Sequence, residues 1–346
     1  MSSVKDTLVK AAVKIPLSVL WNFSSTRVLI PFYHLVSDQM VHHVRNLQAY
    51  KNVTQFREDI RFLNENFSII DLGVLLDHWA LGHPLPRRAL LLTFDDGLRE
   101  QYETIAPILK HANLPATFFL TSSFLDNKEL GFRHKASILI HEFGKSSEHV
   151  PNEEVRNVFC DHELKYDNFR DSILSLSYEH GNVIDDLAAI LSVDYAEYLA
   201  TNRPYMTSGQ VQSLIDDGFT IGAHSIDHPY YPTLSVDHQL YQTKESMNYI
   251  QDRFALSYRV FAFPFNERGI SRDYYEMISG DEIVHLSVGH VMPMDKRRGS
   301  KTERIWLEDP ALSTERVIKT RLIKRIYARL RGTGKNETAE LKGRIF

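Results

Sequence analysis

Cysteine is almost absent from this chain of 346 residues, which contains only Cys160. A single cysteine excludes an intramolecular disulfide and any metal site built from several thiolates. The chain also lacks a large net charge, because 40 basic and 44 acidic residues leave a formal net charge of −4. We therefore expect no nucleic-acid partner. The sequence also lacks a glycine-rich loop that could cradle phosphate groups, which makes phosphoryl transfer a weak candidate.

Long apolar runs are lacking too. The N-terminal apolar stretch from Ala11 to Phe23 is interrupted by Lys14 and Pro16, and no small-residue cleavage site follows it. It is too short to cross a bilayer and does not resemble a secretory signal. We expect residues 1–27 to form an N-terminal helical segment, and we expect the protein to stay in the cytoplasm or at the periphery of a membrane.

The sequence does contain an alternation of short apolar strands and amphipathic helices. Strands are predicted at residues 28–33, 116–120 and 220–223, and the run Ala-Leu-Leu-Leu-Thr at 89–93 predicts a strand buried on both faces. Repeated strand–helix units predict an α/β fold with a parallel sheet or barrel, in which active groups gather at the carboxyl ends of the strands. We therefore predict one catalytic domain over residues 28–310.

Two segments depart from this alternation. Residues 126–205 are mostly helical and acidic, which indicates an insertion that either packs as a subdomain or covers the substrate groove as a lid. Residues 311–346 form a basic tail in which four apolar residues recur every four positions, beginning at Ile318. This spacing predicts an amphipathic helix. The helix either docks on the domain or makes peripheral contact with an anionic membrane surface.

Two adjacent carboxylates, Asp95 and Asp96, follow the strand at 89–93 in the sequence Thr-Phe-Asp-Asp-Gly. Asp-Asp-Gly alone is typical of a turn, but its position puts both carboxylates at the carboxyl end of a buried strand. A second group, His224-Ser-Ile-Asp-His228, also follows a predicted strand. Two imidazoles four residues apart can bind one metal ion if the segment makes a helical turn.

Together the two motifs supply a carboxylate and two imidazoles as metal ligands, with a second carboxylate beside them. Zinc held by such ligands lowers the pKa of its bound water towards ~7 and polarises a carbonyl group. The second carboxylate can then act as the general base that hydrolysis needs. The pattern predicts a hydrolase that depends on a divalent metal, with zinc as the first choice and cobalt or nickel as alternatives.

These motifs resemble those of the polysaccharide deacetylases of the NodB-homology type, carbohydrate esterase family 4. Residues 93–97 are similar to the first family motif, and the histidine group is similar to the second, His-Ser/Thr-x-x-His. The resemblance implies a distorted (β/α) barrel with a helical insertion. It also implies that Asp95 is the catalytic base and that Asp96, His224 and His228 are the metal ligands.

The third family motif is matched only in part, by residues 261–266. In the family, a proline–aromatic pair lines the substrate groove, and the backbone N–H of the aromatic residue helps to stabilise the oxyanion. The resemblance assigns the oxyanion contact to Phe265. It makes Pro264 and the neighbouring Phe263 candidate substrate-binding residues.

Two positions in this motif depart from the family pattern. Ala262 stands where many members have arginine, so another group must orient the base Asp95. Asn266 stands where glycine is usual, and asparagine is the next best residue for a left-handed backbone. Neither departure removes a predicted metal ligand.

Residues 30–36 resemble the Tyr-His-x-Val opening of the branch that includes exopolysaccharide poly-N-acetylglucosamine deacetylases. In that branch the histidine is the general acid for the departing amine, a role that falls on His34. The preceding Tyr33 is a candidate substrate contact. The Leu-His motif that supplies the acid in the other branch has no clear match, and His285 and His290 are weak substitutes.

The resemblance implies the removal of N-acetyl groups from a carbohydrate, either a polysaccharide or a glycan precursor. Two alternatives stay open from the sequence. The same metal site could hydrolyse another acyl ester or amide. Alternatively, the missing arginine at Ala262 could mark a relative that binds carbohydrate and has impaired catalysis.

Overall fold

The computed structural model describes residues 14–146, 152–266, 269–278, 284–286 and 304–330. The strands of this part of the chain are β1 (Val28–Tyr33), β2 (Ser68–Ile69), β3 (Ala89–Leu90), β4 (Thr93–Phe94), β5 (Thr117–Leu120), β6 (Thr220–Ala223), β7 (Val260–Ala262), β8 (Val284–Leu286) and β9 (Arg304–Trp306).

Helices lie between most of these strands and after the last one. The α-helices of the described residues are α1 (Leu17–Ser24), α2 (Val53–Asn66), α3 (Leu72–Leu81), α4 (Ala106–His111), α5 (Phe132–Ser146), α6 (Asn152–Asp161), α7 (Phe169–Ser175), α8 (Gly181–Ile190), α9 (Tyr195–Asn202), α10 (Ser208–Asp216), α11 (Val236–Phe254), α12 (Arg272–Ile278) and α13 (Thr314–Leu330). None of these helices has the length and apolar character that crossing a membrane requires.

The strands form one sheet in which every recorded pair is parallel. Its main path runs β9-β1-β4-β5-β6-β7-β8, and β2 and β3 extend from β1. All six residues of β1 are buried, as expected for a strand covered on both faces. No pairing joins β8 to β9 among the described residues. The predicted α/β class is confirmed.

The predicted strand at 89–93 is wrong in detail, because the chain forms two short strands there. Both parts pair with β1, but β3 has β2 as its other neighbour, whereas β4 has β5. The strand is interrupted where its outer neighbour changes. The carboxyl end of β4 then leads directly into Asp95.

Two terminal helices pack against each other on the outside of the sheet. Helix α1 buries Leu17, Leu20 and Trp21, and α13 buries Ile318 and Leu322. Of the four apolar residues predicted to form a stripe on α13, Ile326 is only partly buried and Leu330 is 80% exposed. The basic helix is therefore docked on the domain through the first half of its stripe. Residues 1–13 and 331–346 lie outside the described part.

The segment between β5 and α10 contains the five helices α5 to α9. It has an apolar cluster of its own, separate from the cluster that fills the sheet, and this cluster includes Val155, Phe159, Ile173 and Leu187. A segment that buries its own apolar side chains can pack as a small subdomain. Residues 147–151, with His149, lie outside the described part.

Candidate active site

The strands bring the predicted site residues to one end of the sheet. His34 follows β1, Asp95 and Asp96 follow β4, His224 follows β6, and Phe265 lies three residues after β7. Because the strands are parallel, their carboxyl ends meet at the same edge. Residues from four separate motifs therefore lie within reach of one another.

Asp96, His224 and His228 form a compact cluster. The Nε2 atoms of His224 and His228 lie 3.4 Å and 3.3 Å from the same carboxylate oxygen, Oδ1 of Asp96. The three ligand atoms all lie within 4.8 Å of one another. Among the described residues this is the one group of three or more histidine, cysteine or acidic side chains with the spacing of a metal site.

The hydrogen bonds and charges of the cluster suit a cation. The Nδ1 atom of His224 lies 2.8 Å from the carbonyl oxygen of Ala262, so Nδ1–H donates there and Nε2 is left with its lone pair. Oδ1 of Asp96 is buried and has no hydrogen-bond partner in the described part. A buried carboxylate oxygen without a partner is costly unless an ion or a donor meets it. Two imidazoles and a carboxylate are the donor set expected of zinc and its neighbours in the first transition row.

The pKa values of the cluster favour the ligand-ready protonation states. Burial lowers the pKa of His228, so its imidazole is neutral. Burial would raise the pKa of Asp96, but the two histidines hold that pKa well below its usual range. The carboxylate is therefore ionised and the His228 imidazole is neutral at pH 7.

The backbone at this edge is strained. Positive φ angles occur at Asp96 (77°), Ser225 (71°), His228 (64°) and Phe265 (55°), all of them non-glycine residues in the site motifs. Each such residue costs on the order of 1–3 kcal/mol, and such residues concentrate at functional sites. Among the described residues of the third motif, the left-handed one is Phe265.

Asp95 is held by an arginine that the sequence did not indicate. Nη1 of Arg304 donates to Oδ2 of Asp95 at 2.8 Å, and Nη2 donates to Oδ1 at 2.6 Å. Nη2 also donates to the hydroxyl of Thr93 at 2.8 Å. This two-pronged geometry orients the carboxylate as well as neutralising it. Burial would raise the pKa of Asp95, but Arg304 and His224 keep that pKa below its ordinary value.

Arg304 comes from β9, the last strand of the sheet. Its guanidinium carbon lies 4.7 Å from the ring centroid of Phe32 and 5.3 Å from that of Phe119, so aromatic rings contact a fully buried cation. It occupies the role left open by Ala262. Arg304, Trp306 and Glu308 alternate along the chain, and this spacing was the one signal that could have indicated a functional strand end.

His34 is paired with Glu308, a fully buried carboxylate. Nδ1 of His34 lies 2.7 Å from Oε2 of Glu308, and the backbone N–H groups of His34 and Leu35 donate to Oε1 at 2.5 Å and 2.6 Å. Burial lowers the pKa of His34, but Glu308 outweighs this effect and raises it to about 9. His34 is therefore protonated at neutral pH, which suits a proton donor.

A glutamine connects the two catalytic loops. Gln101 begins a π-helical turn, Gln101–Ile105, and its side-chain N–H groups donate to the backbone carbonyls of His34 (3.0 Å) and Asp95. Single π-helical turns are frequent at functional sites. Gln101 thus links the backbone of His34 to that of Asp95 without a hydrogen bond to either side chain.

The predicted oxyanion residue Phe265 and the three predicted substrate contacts have different positions. Phe265 is partly exposed, and its ring lies edge-on to His228 with 4.7 Å between the ring centroids. Pro264 is buried beside it. Tyr33 and Phe263 are 0% and 1% exposed and pack among other aromatic rings.

The burial of Tyr33 has a simple cause. The hydroxyl of Tyr33 donates to Asp59 at 3.0 Å, whereas the next residue, His34, contacts Glu308. Successive side chains of a strand point to opposite faces, so Tyr33 and His34 cannot both face the site. The prediction that Tyr33 and Phe263 line the groove is therefore corrected: both side chains belong to the core.

The helical insertion also reaches this edge of the sheet. The hydroxyl of Tyr178 donates to the carboxylate of Asp227, which lies inside the histidine motif. On α5, Nδ1 of His134 lies 2.5 Å from the hydroxyl of Tyr205. Burial lowers the pKa of His134 to about 4, against the influence of Asp96. The insertion thus contributes a neutral imidazole near the cluster of Asp96, His224 and His228, in addition to its own core.

His285 and His290, the weak substitutes for the acid, cannot be compared with His34. His290 lies outside the described residues, and only the backbone is described at β8, which carries His285. The acid candidate with a described partner is therefore His34.

Comparison with known proteins agrees with this geometry. The family model for polysaccharide deacetylase matches residues 82–166 and 181–275, which is more than half of the chain. The chain therefore belongs to the polysaccharide deacetylase family, and the expected resemblance is confirmed.

One curated relative is the poly-beta-1,6-N-acetyl-D-glucosamine N-deacetylase of Escherichia coli strain K12. It is 34% identical over 71 residues, which cover 20% of this chain and 11% of the relative. The match thus spans about a tenth of the relative's length.

Two solved structures share the fold. The Streptococcus pyogenes deacetylase PplD in complex with acetate has a TM-score of 0.53 at 15% identity and covers 85% of this chain and 97% of its own. IcaB from Ammonifex degensii has a TM-score of 0.51 at 13% identity, with 85% and 95% covered. The predicted distorted barrel of the NodB-homology type is confirmed.

Proposed function

We propose that the protein is a metal-dependent hydrolase that removes N-acetyl groups from a carbohydrate. The observation that carries the proposal is the arrangement of Asp95 beside the cluster of Asp96, His224 and His228, with protonated His34 at the same edge of the sheet. Membership of the polysaccharide deacetylase family supports the same reaction class.

Asp96, His224 and His228 would hold a divalent cation, with zinc as the first choice and cobalt or nickel as alternatives. The buried Oδ1 of Asp96 and the free Nε2 lone pair of His224 support this assignment. When bound, the cation supplies a Lewis acid that acidifies water and polarises the acetyl carbonyl.

Asp95 is the general base in this proposal. Its ionised carboxylate takes a proton from the attacking water, and the Arg304 fork holds the carboxylate in one orientation during the transfer. Arg304 is a positioning residue, because its described contacts are with Asp95, Thr93 and aromatic rings and not with the reaction space.

His34 is the general acid. Its imidazolium donates a proton to the amine as the carbon–nitrogen bond breaks, and acetate and a free amino sugar leave. Glu308 keeps this proton on His34 at neutral pH. The buried Glu308 carboxylate also fixes the His34 ring, because its Oε1 atom accepts hydrogen bonds from the backbone N–H groups of His34 and Leu35.

Phe265 is the proposed source of the oxyanion contact and of an aromatic groove wall. Its left-handed backbone and its ring contact with His228 support a position next to the metal cluster. A backbone N–H aimed at the developing negative charge stabilises the tetrahedral intermediate. Pro264 restricts the backbone that presents this N–H.

The proposed substrate is an N-acetylated glycan. The curated relative named as a poly-beta-1,6-N-acetyl-D-glucosamine N-deacetylase supports N-acetylglucosamine units. The alternative of an impaired carbohydrate-binding relative rested on the missing arginine at Ala262. Arg304 supplies a guanidinium to Asp95 from another strand, so this reason for doubting catalysis is removed.

The test is acetate release from N-acetylglucosamine oligomers by the purified protein, first after chelation and then with Zn²⁺, Co²⁺ or Ni²⁺ restored. Metal content is measured in parallel by elemental analysis. We expect release to vanish with the metal and to return with it. Release from small acyl esters but from no oligomer would instead assign the same site to another acyl substrate.

A further inference from the structure

A second charged region lies at the opposite end of the sheet from the catalytic residues. It is a groove of about 310 Å³ at the amino ends of β1 and β3. Its lining residues include Trp21, Asn22, Thr26, Arg27, Arg87 and Arg88. Three of these residues are arginines, and no lining residue carries a carboxylate.

The three arginines are held side by side by the sheet. Arg27 directly precedes β1 and Arg88 directly precedes β3, and these two strands pair from their first residues, Val28 with Ala89. The backbone carbonyls of Arg87 and Arg88 accept hydrogen bonds from Ser68 at the start of β2. The backbone that carries the positive charges is therefore rigid.

These guanidinium groups have no protein partner within the described residues. No hydrogen bond or ion pair joins the side chains of Arg27, Arg87 or Arg88 to another described side chain, and all three are at least partly exposed. Adjacent cations without a carboxylate repel one another and create a positive potential that attracts anions. The planar guanidinium is well suited to phosphate oxygens.

Helix α1 adds apolar surface to the edge of this groove. Its inner face buries Leu17, Leu20 and Trp21, whereas its outer face exposes Val19 (40%) and Phe23 (65%). An ordinary surface helix turns polar residues to the solvent, but α1 turns two apolar side chains there. Asn22 lies on the same outer face and lines the groove, so the apolar and basic surfaces are continuous.

We propose that this surface, formed by Val19, Phe23, Arg27, Arg87 and Arg88, docks the protein on an anionic membrane. Exposed apolar side chains that enter the acyl boundary, flanked by cations that meet headgroup phosphates, are the features of a peripheral membrane contact. A small phosphate ligand would use the arginines and leave Phe23 without a role. A lipid surface uses both.

The proposed surface differs from the membrane contact expected from the sequence, which was the basic C-terminal helix. In α13, Ile318 and Leu322 face the domain, and Arg325 and Arg329 donate to Thr26 and Ser25 at the end of α1. Helix α13 thus packs behind α1. The proposed membrane contact is therefore assigned to α1 and the groove.

Docking through this surface would also orient the reaction centre relative to the membrane. This step rests on the proposed function. The six residues of β1 separate the groove from His34 by about 20 Å. The reaction centre would then open away from the bilayer. That orientation favours an extended glycan over one whose acetylated sugar is tied closely to a lipid in the same membrane.

The experiment is co-sedimentation of the full chain with vesicles of equal parts phosphatidylglycerol and phosphatidylcholine, and with vesicles of phosphatidylcholine alone. We expect binding to the anionic vesicles and little to the neutral ones. The double variant Arg87→Ala/Arg88→Ala should weaken anionic binding about 30-fold, since each basic residue contributes about 1 kcal/mol. Phe23→Ser should weaken it about tenfold.

Matched controls come from other exposed surfaces. Met277→Ser removes an apolar side chain that is 56% exposed on α12, and Arg156→Ala/Lys165→Ala removes two exposed charges from the helical insertion. Both controls should sediment as the wild type does. Circular dichroism on each variant verifies folding.

The following outcomes would overturn the proposal. One is equal sedimentation of the wild type and both surface variants. Another is binding of inorganic phosphate at the groove with no vesicle binding. A third is a dimer that Phe23→Ser dissociates, again without vesicle binding, which would assign the surface to a second copy of the chain. None of these readouts uses acetate release, so failure here is separate from failure of the deacetylase proposal.

Discussion

Two buried ion pairs in this protein have the same physical character and different surroundings. Arg304 lies 2.6 Å from Asp95, and Lys51 lies 2.5 Å from Asp59, with all four side chains almost fully buried. Asp95 is next to a proposed metal ligand. Asp59 instead also accepts the hydroxyl of Tyr33, while Lys51 also donates to Thr314 at the start of α13.

The comparison shows that burial and pairing alone do not identify a catalytic carboxylate. Burying two charges costs several kcal/mol, and either pair is retained only because good geometry and further hydrogen bonds offset that cost. The two pairs differ in the residues that surround them. Arg304 orients a carboxylate at the open end of the sheet, whereas Lys51 and Asp59 tie β1, α2 and α13 together.

Removing the guanidinium should have the largest effect in this comparison. In Arg304→Met, Asp95 loses its orientation and its countercharge, and we expect kcat to fall about 10²- to 10³-fold. Its pKa rises without Arg304, so the acid limb of the pH–rate profile should move to higher pH. Steady-state kinetics across pH tests this. A near-normal kcat and an unmoved acid limb in this variant would show that Arg304 does not position Asp95.

Loss of the Glu308 charge beside His34, the proposed acid, should have a smaller effect. Glu308→Gln removes the charge that raises the pKa of His34 to about 9, so that pKa falls. His34 must be protonated to act, and activity is lost as pH rises through its pKa. The alkaline limb should therefore shift to lower pH, with kcat at pH 8 reduced about tenfold. An alkaline limb that stays in place would contradict the pairing of His34 with Glu308.

Breaking the second ion pair should affect stability and not chemistry. Asp59→Ala leaves Lys51 buried without a counterion, and we expect the free energy of unfolding to fall by about 3 kcal/mol. The folded fraction should keep kcat within about twofold, since Asp59 does not contact the site. Urea denaturation and kinetics below the transition test both parts. A large loss of kcat in well-folded protein would erase the contrast between the pairs.

Tyr33→Phe should have the smallest effect. The variant loses the hydroxyl that donates to Asp59 and also interacts with Thr314, and we expect this to cost about 1 kcal/mol of stability. KM should not change, because the side chain is buried in the core. An increase in KM would restore Tyr33 as a substrate contact.

The parts of the site that could be predicted from the sequence are those whose residues are close together along the chain. Asp95 and Asp96 are adjacent, and His224 and His228 lie four residues apart, so a local pattern carries the chemistry. Arg304 lies 209 positions from Asp95. The contact depends on the pairing of β9 with β1, which no local pattern reports.

The errors of prediction have a related cause. Tyr33 and Phe263 lie beside site residues in sequence, but the alternation of side chains along an extended backbone turns Tyr33 into the core. The strand predicted at 89–93 is divided because its outer neighbour changes from β2 to β5. In both cases the deciding contact is made by a distant part of the chain.

The most direct test of the proposed mechanism compares the wild type with Asp95→Asn. Acetate release and metal content are measured on the same samples after reconstitution with Zn²⁺. Asn keeps the shape of the side chain but cannot take a proton, so we expect full metal content and a loss of kcat of about 10³-fold or more. Asp95→Asn with wild-type acetate release at equal metal content would contradict the assignment of Asp95 as the base.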